Sequence, residues 1–416
     1  MITHNPKQAI EQLQTILSSP SKKIGFLFGA GISMNYRTTL DEKNINKRDE
    51  LIQGVKEMTT KIISSFIVDP QKSAIESIKK ELEVENKAFN IEALLSKISE
   101  KETAAGKEML CGLNKENLKQ LRKDVEEQIK KIVSVHNIEK PKFDIQKTSH
   151  HTLSQWIRNA DREYPVEIFT TNYDYLLELA LEKEQIPYFD GFIGSYQAFF
   201  YPEWIEDGES LGRWTKLWKL HGSLGWQMNE QKEIVRTSIN ENSAMIYPSF
   251  LKYDHSRKQP YLSYMDRLSY FLRQEDSVLF ICGYSFGDEH INEMLLTSLA
   301  RSRSSHIFIL KNGELNENDC VSNEIAKKNS KISVYAKRSA VIGCKFGEWK
   351  LDKEPDKNES YNIINHGFDE DATIEEKDSK WTGKGNFILG DFEKFTNFLS
   401  LFFSGSKYIN KEGDEK

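Results

Sequence analysis

Four short segments carry side chains able to hold a nucleotide or move a proton. The first is Phe28-Gly29-Ala30-Gly31-Ile32-Ser33, in which small residues follow an apolar run. Such a turn lets the backbone approach a pyrophosphate, with N–H groups donating to it and Ser33 adding a hydroxyl. It falls short of the full Gly-x-Gly-x-x-Gly fingerprint, and a tight strand–helix turn explains it as well. The second is Thr170-Thr171-Asn172-Tyr173-Asp174. Its polar groups would project from the carboxyl end of a strand, where open α/β sheets bind ligands. Asn172 or Thr171 could equally cap the helix that follows. The third, Lys219-Leu220-His221-Gly222, sets an imidazole in an open turn. Histidine titrates near neutral pH and so suits proton transfer, although a lone histidine also serves structure. The fourth is Cys282-Gly283-Tyr284-Ser285-Phe286-Gly287-Asp288. Gly283 and Ser285 suit a close approach to ribose or phosphate; tight packing is the competing explanation.

Each segment follows a strand signal. Ile24–Phe28 is a short apolar run, and similar runs recur at Val166–Thr170, Leu217–Leu220, Val278–Cys282, His306–Leu310 and Ile332–Tyr335. Near-continuous apolar strands separated by helical patterns indicate a parallel sheet covered on both faces. Asn5-Pro6 reads as an N-cap with proline at the first helical position, and Ile10, Leu13, Ile16 and Leu17 mark one face of that helix. Tyr173–Leu181 and His290–Leu299 are the clearest helices that follow a strand. From Met34 the chain becomes rich in Lys and Glu, with stripes at Leu51, Val55, Met58, Ile62 and Phe66, and at Ile91, Leu94, Leu95 and Ile98. This is the pattern of amphipathic helices with solvated charged faces. The expected fold is thus α/β, a Rossmann-like doubly wound parallel sheet with a large helical insertion. Residues 1–33 and 150–340 would form the sheet domain, 34–149 the insertion and 341–416 a C-terminal extension. A closing helix, Asp391–Phe403, with Phe392, Phe395, Leu399 and Phe402 on one face, would dock on the body or meet a partner. Charged, turn-rich segments lie at Asp352–Asn358 and Asp369–Lys380, and Ser404–Lys416 reads as a frayed tail.

The 416-residue length and 38% hydrophobic content allow a sizeable core with an insertion, or two to three domains. A net charge of -6 gives no support to direct nucleic-acid binding, which needs a surplus of Lys and Arg. The apolar runs are too short to span a bilayer, and the first residues lack an apolar secretory core, so a cytoplasmic location is expected. The four cysteines, Cys111, Cys282, Cys320 and Cys344, form no Cys-x-x-Cys pair. No metal site of the usual structural-zinc spacing is expected, and they read as reduced, partly buried thiols.

Taken in order, Gly29-Ala30-Gly31-Ile32-Ser33, Asn172 with Asp174, His221-Gly222 and Gly283-Tyr284-Ser285 resemble the motifs of the sirtuin family. The resemblance covers residues 22–34 and 150–340. It implies NAD bound across a Rossmann-like sheet and cleavage of its nicotinamide–ribose bond. Under it, His221 is the catalytic base at that ribose, Asn172 holds the ribose and an attacking water, and Asp174 lies near the carboxamide. Gly29, Ala30, Gly31 and Ser33 would cradle the phosphates. Thr171, Gly283, Ser285 and Asn312 would complete the cofactor site, the last three on the adenosine half. Departures are equally plain. The four-cysteine zinc module of the deacylases is missing, and Met34-Asn35-Tyr36-Arg37 replaces their Gly-Ile-Pro-x-Phe-Arg loop. Thr171 stands where they usually have Gln. Phe-Thr-Thr-Asn-Tyr-Asp and Gly-Tyr-Ser-Phe-Gly-Asp look instead like the sirtuin-like effectors of bacterial anti-phage defence. That branch implies NAD hydrolysis, homo-oligomers and, in some members, assembly with a ring-forming ATPase of the DNA-translocase type. A transferase passing acyl or ADP-ribosyl groups and a non-catalytic sensor are the alternatives.

Overall fold

Strand β2 (Lys23–Phe28) decides how the sheet is covered, because successive strand residues face opposite sides. Phe26 and Phe28 enter one buried cluster, and Leu27 enters another on the opposite face. In the computed structural model, β2 is one strand of a ten-stranded sheet. The structure describes residues 2–34, 36–39, 48–85, 89–106, 108–136, 143–206, 211–231, 233–236, 259–315, 321–355, 363–371 and 381–402. The other strands of this sheet are β1 (Thr3–His4), β3 (Glu167–Thr170), β4 (Tyr188–Phe189), β5 (Thr215–Lys219), β6 (Ser277–Cys282), β7 (His306–Leu310), β8 (Ile332–Tyr335), β9 (Ser339–Ile342) and β10 (Lys345–Trp349). Their order is β1-β10-β9-β8-β7-β6-β2-β3-β5-β4. Strands β8 through β4 in that order pair in parallel, whereas β8–β9 and β9–β10 are antiparallel.

Among the described residues, the helices that build the layers and the site are α1 (Pro6–Ser18), α2 (Gly31–Met34), α3 (Val55–Ser65), α4 (Gln71–Val84), α5 (Ile91–Ala104), α6 (Lys115–Val133), α7 (Ser149–Asn159), α8 (Leu176–Lys183), α9 (Tyr261–Arg273), α10 (Glu289–Arg301), α11 (Val321–Lys328) and α12 (Phe392–Ser400). α1, α7, α8 and α12 cover one face through Leu13, Trp156, Leu181 and Phe395. α9, α10 and α11 cover the other through Phe271, Leu295 and Ala326. The sheet is therefore doubly wound, as its apolar strands require. Gly25 is needed for this packing: a Cβ there would sit 2.6 Å from the Phe271 ring. Asn5 caps α1 as its sequence suggests, accepting from the Lys7 N–H. The closing helix docks, with Phe395 and Leu399 fully buried. It ends at Ser400, and Phe403 lies outside the described residues. So do Cys320 and the tail from residue 404.

Helices α3 to α6 share a core of their own, built from Ile62, Ile78, Leu94, Leu121, Val125 and neighbours. Leu176, at the start of α8, and Leu224, in the loop after β5, belong to the same cluster, so this helical layer is seated on the sheet's carboxyl ends. Helix α7 packs with the sheet, through Leu153 and Trp156. The β9–β10 hairpin, which straddles the expected boundary at residue 340, extends the sheet rather than starting a separate unit. Its short strands have little alternation, which is why the sequence did not show them. No helix among the described residues is long and apolar enough to cross a membrane.

Candidate active site

The carboxyl ends of β6, β2, β3 and β5 lie side by side, and all four singled-out segments leave from them. After β2 the chain returns to build β3, β4 and β5 on one side and β6, β7 and β8 on the other. β2 is thus the topological switch point, where an open α/β sheet forms its crevice.

The two glycine turns interlock across that point. The Gly31 N–H donates to the Gly283 carbonyl at 3.0 Å. A Cβ on Gly29 would lie 2.5 Å from the Gly283 oxygen, and one on Gly31 would lie 2.7 Å from the Gly283 Cα. Gly283 itself has φ +66°, a left-handed conformation that glycine adopts without strain. Close packing therefore accounts for these glycines, whether or not a ligand lies above them. The N–H groups of Gly29, Gly31, Ile32 and Ser33 all donate to backbone carbonyls. This differs from a cradle in which those amides point at a phosphate. One outcome follows: Gly31→Val should lower unfolding stability by about 1–3 kcal/mol, as overpacking against backbone does. Urea denaturation with an unchanged midpoint would show that the turns do not interlock in solution.

Asn172 is buried and does not cap α8. Its Nδ2 donates to the Gly29 carbonyl and to Ser33 Oγ, both at 3.1 Å. Its own N–H donates to Thr170 Oγ1, and the Thr171 N–H to the Phe28 carbonyl. The N-cap position falls to Tyr175, which offers no side-chain cap, and Asp174 just before it accepts from the Leu176 N–H through Oδ1 at 3.0 Å. α8 consequently starts at Leu176, later than the sequence pattern suggested. The other oxygen, Oδ2, accepts from Ser33 Oγ at 3.0 Å. Ser33 is buried, with its hydroxyl joining Asp174 to Asn172. As found, Ser33 positions the asparagine rather than facing a phosphate. With Nδ2 turned inward, Asn172 keeps its Oδ1 as the acceptor available to a ligand.

His221 follows β5, with its side chain 13% exposed. Its Nε2 lies 3.0 Å from Asp288 Oδ2, contributed by the loop after β6. The sequence singled out the segment containing Asp288 but gave this carboxylate no role; no local pattern could pair residues so far apart. Beneath the histidine loop, Lys219 is buried and pairs with Glu178 at 2.7 Å. Its Nζ also donates to the Asp174 and Tyr173 carbonyls, tying the loop after β3 to β5. Burial pushes the Glu178 carboxyl above its ordinary value, although Lys219 pulls the other way. Of the neighbouring histidines, His150 is fully buried against Phe392, and burial pushes it down to about 4. It is neutral at pH 7 and lines neither cavity at the switch point.

These loops enclose a cavity of about 490 Å³. Gly29, Ala30, Gly31, Ser33, Thr171, Asn172, Asp174, His221, Gly283, Ser285 and Asp288 all line it. The opposite wall comes from the helical layer: Val55, Met58, Ile91, Ile129 and Val133, with Lys56, Glu57 and Glu92 adding charge. A second cavity, about 380 Å³, shares Gly31, Gly283, Tyr284 and Ser285 and is completed by Ile309, Lys311, Asn312 and Phe392. Both volumes fall in the range of small-molecule sites. Asn312 is thus set apart from Asn172 and His221, on the far arm of one bipartite crevice. Among the described residues, no group of three or more His, Cys, Asp or Glu side chains is arranged to hold a metal.

No curated protein matches the chain. A solved structure described as "Structural Basis for the Mechanism and Regulation of Sir2 Enzymes" is 12% identical with a TM-score of 0.31, covering 76% of this chain and 89% of its own. Residues 166–335 match a family model described as a SIR2-like domain. That span runs from the start of β3 to the end of β8 and carries Asn172, Asp174, His221, Gly283, Ser285 and Asn312. Over those strands and their loops, the chain is similar to the SIR2-like domain family.

Proposed function

We propose that this chain hydrolyses NAD to nicotinamide and ADP-ribose, and does so as an effector of anti-phage defence through NAD depletion. The observation that carries the chemistry is the meeting of Asn172 and His221 on one cavity, from different strand ends, beside a second cavity reached past Gly283. A bipartite crevice of this kind suits a dinucleotide, with its nicotinamide half over Asn172 and His221 and its adenosine half towards Asn312. NAD, when bound, supplies a glycosidic C–N bond that is exchanged for a C–O bond to water. The chain's own part is to grip and orient the ribose, exclude bulk water and offer one base. Asn172 presents Oδ1 to the ribose or the water; His221 takes the released proton. The apolar wall of Val55, Met58 and Ile91 limits solvent. The defence role rests on the Phe-Thr-Thr-Asn-Tyr-Asp and Gly-Tyr-Ser-Phe-Gly-Asp segments. A homo-oligomer and a ring-forming ATPase of the DNA-translocase type belong to the same proposal, as means of holding such an activity in check.

The test is to incubate purified protein with NAD, alone and with candidate ATPase partners, and to follow nicotinamide and ADP-ribose. Equal release of both is expected, and prolonged chelation should leave the rate unchanged, because no cysteine pairing of zinc-site spacing exists. Nicotinamide released without free ADP-ribose would point to transfer onto an acceptor. NAD bound but never cleaved would leave a sensor.

A further inference from the structure

We propose that Asp288 is a positioning residue that fixes the tautomer and orientation of His221; this rests on the assignment of His221 as the base. The two side chains meet at 3.0 Å, although two strands, β2 and β3, separate the strands from which they come. Asp288 is held from the other side as well. Its Oδ1 accepts from the His290 N–H at 3.0 Å and the Ile291 N–H at 3.4 Å, at the start of the 13-residue α10. A carboxylate so placed is anchored by the helix terminus, and its second oxygen has one orientation left. The loop between is itself fixed: Asn292 Nδ2 donates to the Phe286 carbonyl at 2.8 Å, and Phe286 holds φ +60°.

An ionised carboxylate only accepts hydrogen bonds, so the imidazole nitrogen facing it must carry the proton. With N–H on Nε2, the neutral ring presents Nδ1 as its acceptor, and proton uptake occurs there. The imidazolium then formed is stabilised by the anion beside Nε2. No atom is exchanged with Asp288; the proton taken up at Nδ1 leaves later to solvent.

The competing explanation is that Asp288 does no more than cap α10. Asp288→Ser separates the two, because serine is as good a cap but cannot reach the imidazole. Asp288→Asn keeps the cap through its one oxygen but turns an amide NH2, a donor, towards Nε2, which favours the opposite tautomer. In the wild type, 15N spectra of labelled histidine, assigned by comparison with His221→Ala, should show the Nε2–H tautomer. Asp288→Ser should give a tautomer mixture and lower kcat at least about 10-fold, with little change in KM. Asp288→Asn should shift the ring towards the Nδ1–H tautomer and lower kcat at least as far as serine does. An Nδ1–H tautomer in the wild type would overturn the proposal. So would a folded Asp288→Ser protein with the wild-type tautomer and turnover. The spectra decide the matter without catalysis, so an absence of NAD cleavage would sink the proposed function and leave this claim separately judged.

Discussion

His221→Ala should reduce nicotinamide release about 100-fold or more while NAD still binds, since only the base is removed. The crevice around it is built by backbone turns and by the Asn172–Ser33–Asp174 network, none of which includes the imidazole. Calorimetric titration with NAD should therefore give a Kd close to wild type. Asn172→Ala should lower turnover as severely for a different reason. It removes the Oδ1 acceptor and unties the loop after β3 from the Gly29 carbonyl and from Ser33. The double variant should be little worse than either single one, because groups that act on the same reacting centre are not additive. Near-normal release from a folded His221→Ala protein would show that the base lies elsewhere. Release that multiplied the two single losses in the double variant would show that the residues act on separate steps.

Lys219→Met should produce the larger loss of stability, about 3–5 kcal/mol at pH 8, as expected when one partner of a buried pair is removed. Lys219 and Glu178 are both buried, and the lysine also serves two backbone carbonyls at the base of the site. The remaining carboxyl must then either ionise without a partner or take up a proton. Its folded pKa already stands above the ordinary value because burial disfavours the charged form. Removing Lys219 raises it further. A carboxyl with a raised folded pKa contributes stability below its unfolded pKa, near 4.3, and loses it as pH rises. The destabilisation should therefore be smaller at pH 5 than at pH 8. Adding Glu178→Gln should recover part of it, because the buried group can no longer ionise. Urea unfolding across that pH range is the measurement. A midpoint unchanged at pH 8, or a loss that grows towards acid, would contradict the buried-pair account.

Much of the scaffold was written in local pattern. The strands at Lys23–Phe28, Ser277–Cys282, His306–Leu310 and Ile332–Tyr335 are apolar nearly throughout, and a strand buried on both faces can be little else. Asn5 ahead of Pro6, and the stripe of Ile91, Leu94, Leu95 and Ile98, likewise announce a helix start and a buried helical face. Such signals depend on neighbours a few residues away, so one sequence suffices to show them. The candidate site was legible only as separate segments. Asn172 could have capped α8, and it was tertiary contact with Gly29 and Ser33, far earlier in the chain, that drew its amide inward and left Asp174 to bond the Leu176 N–H. The glycines looked equally suited to a ligand or to packing, until folding set Gly283 against Gly29 and Gly31 at backbone distance. Asp288 could announce itself as the cap of α10, but its second oxygen found His221 only because two loops meet above β2 and β3. Periodicity and capping chemistry fix what a segment becomes. Which polar atom faces which across the sheet is decided by strand order and loop reach, and those exist only once the chain has closed on itself.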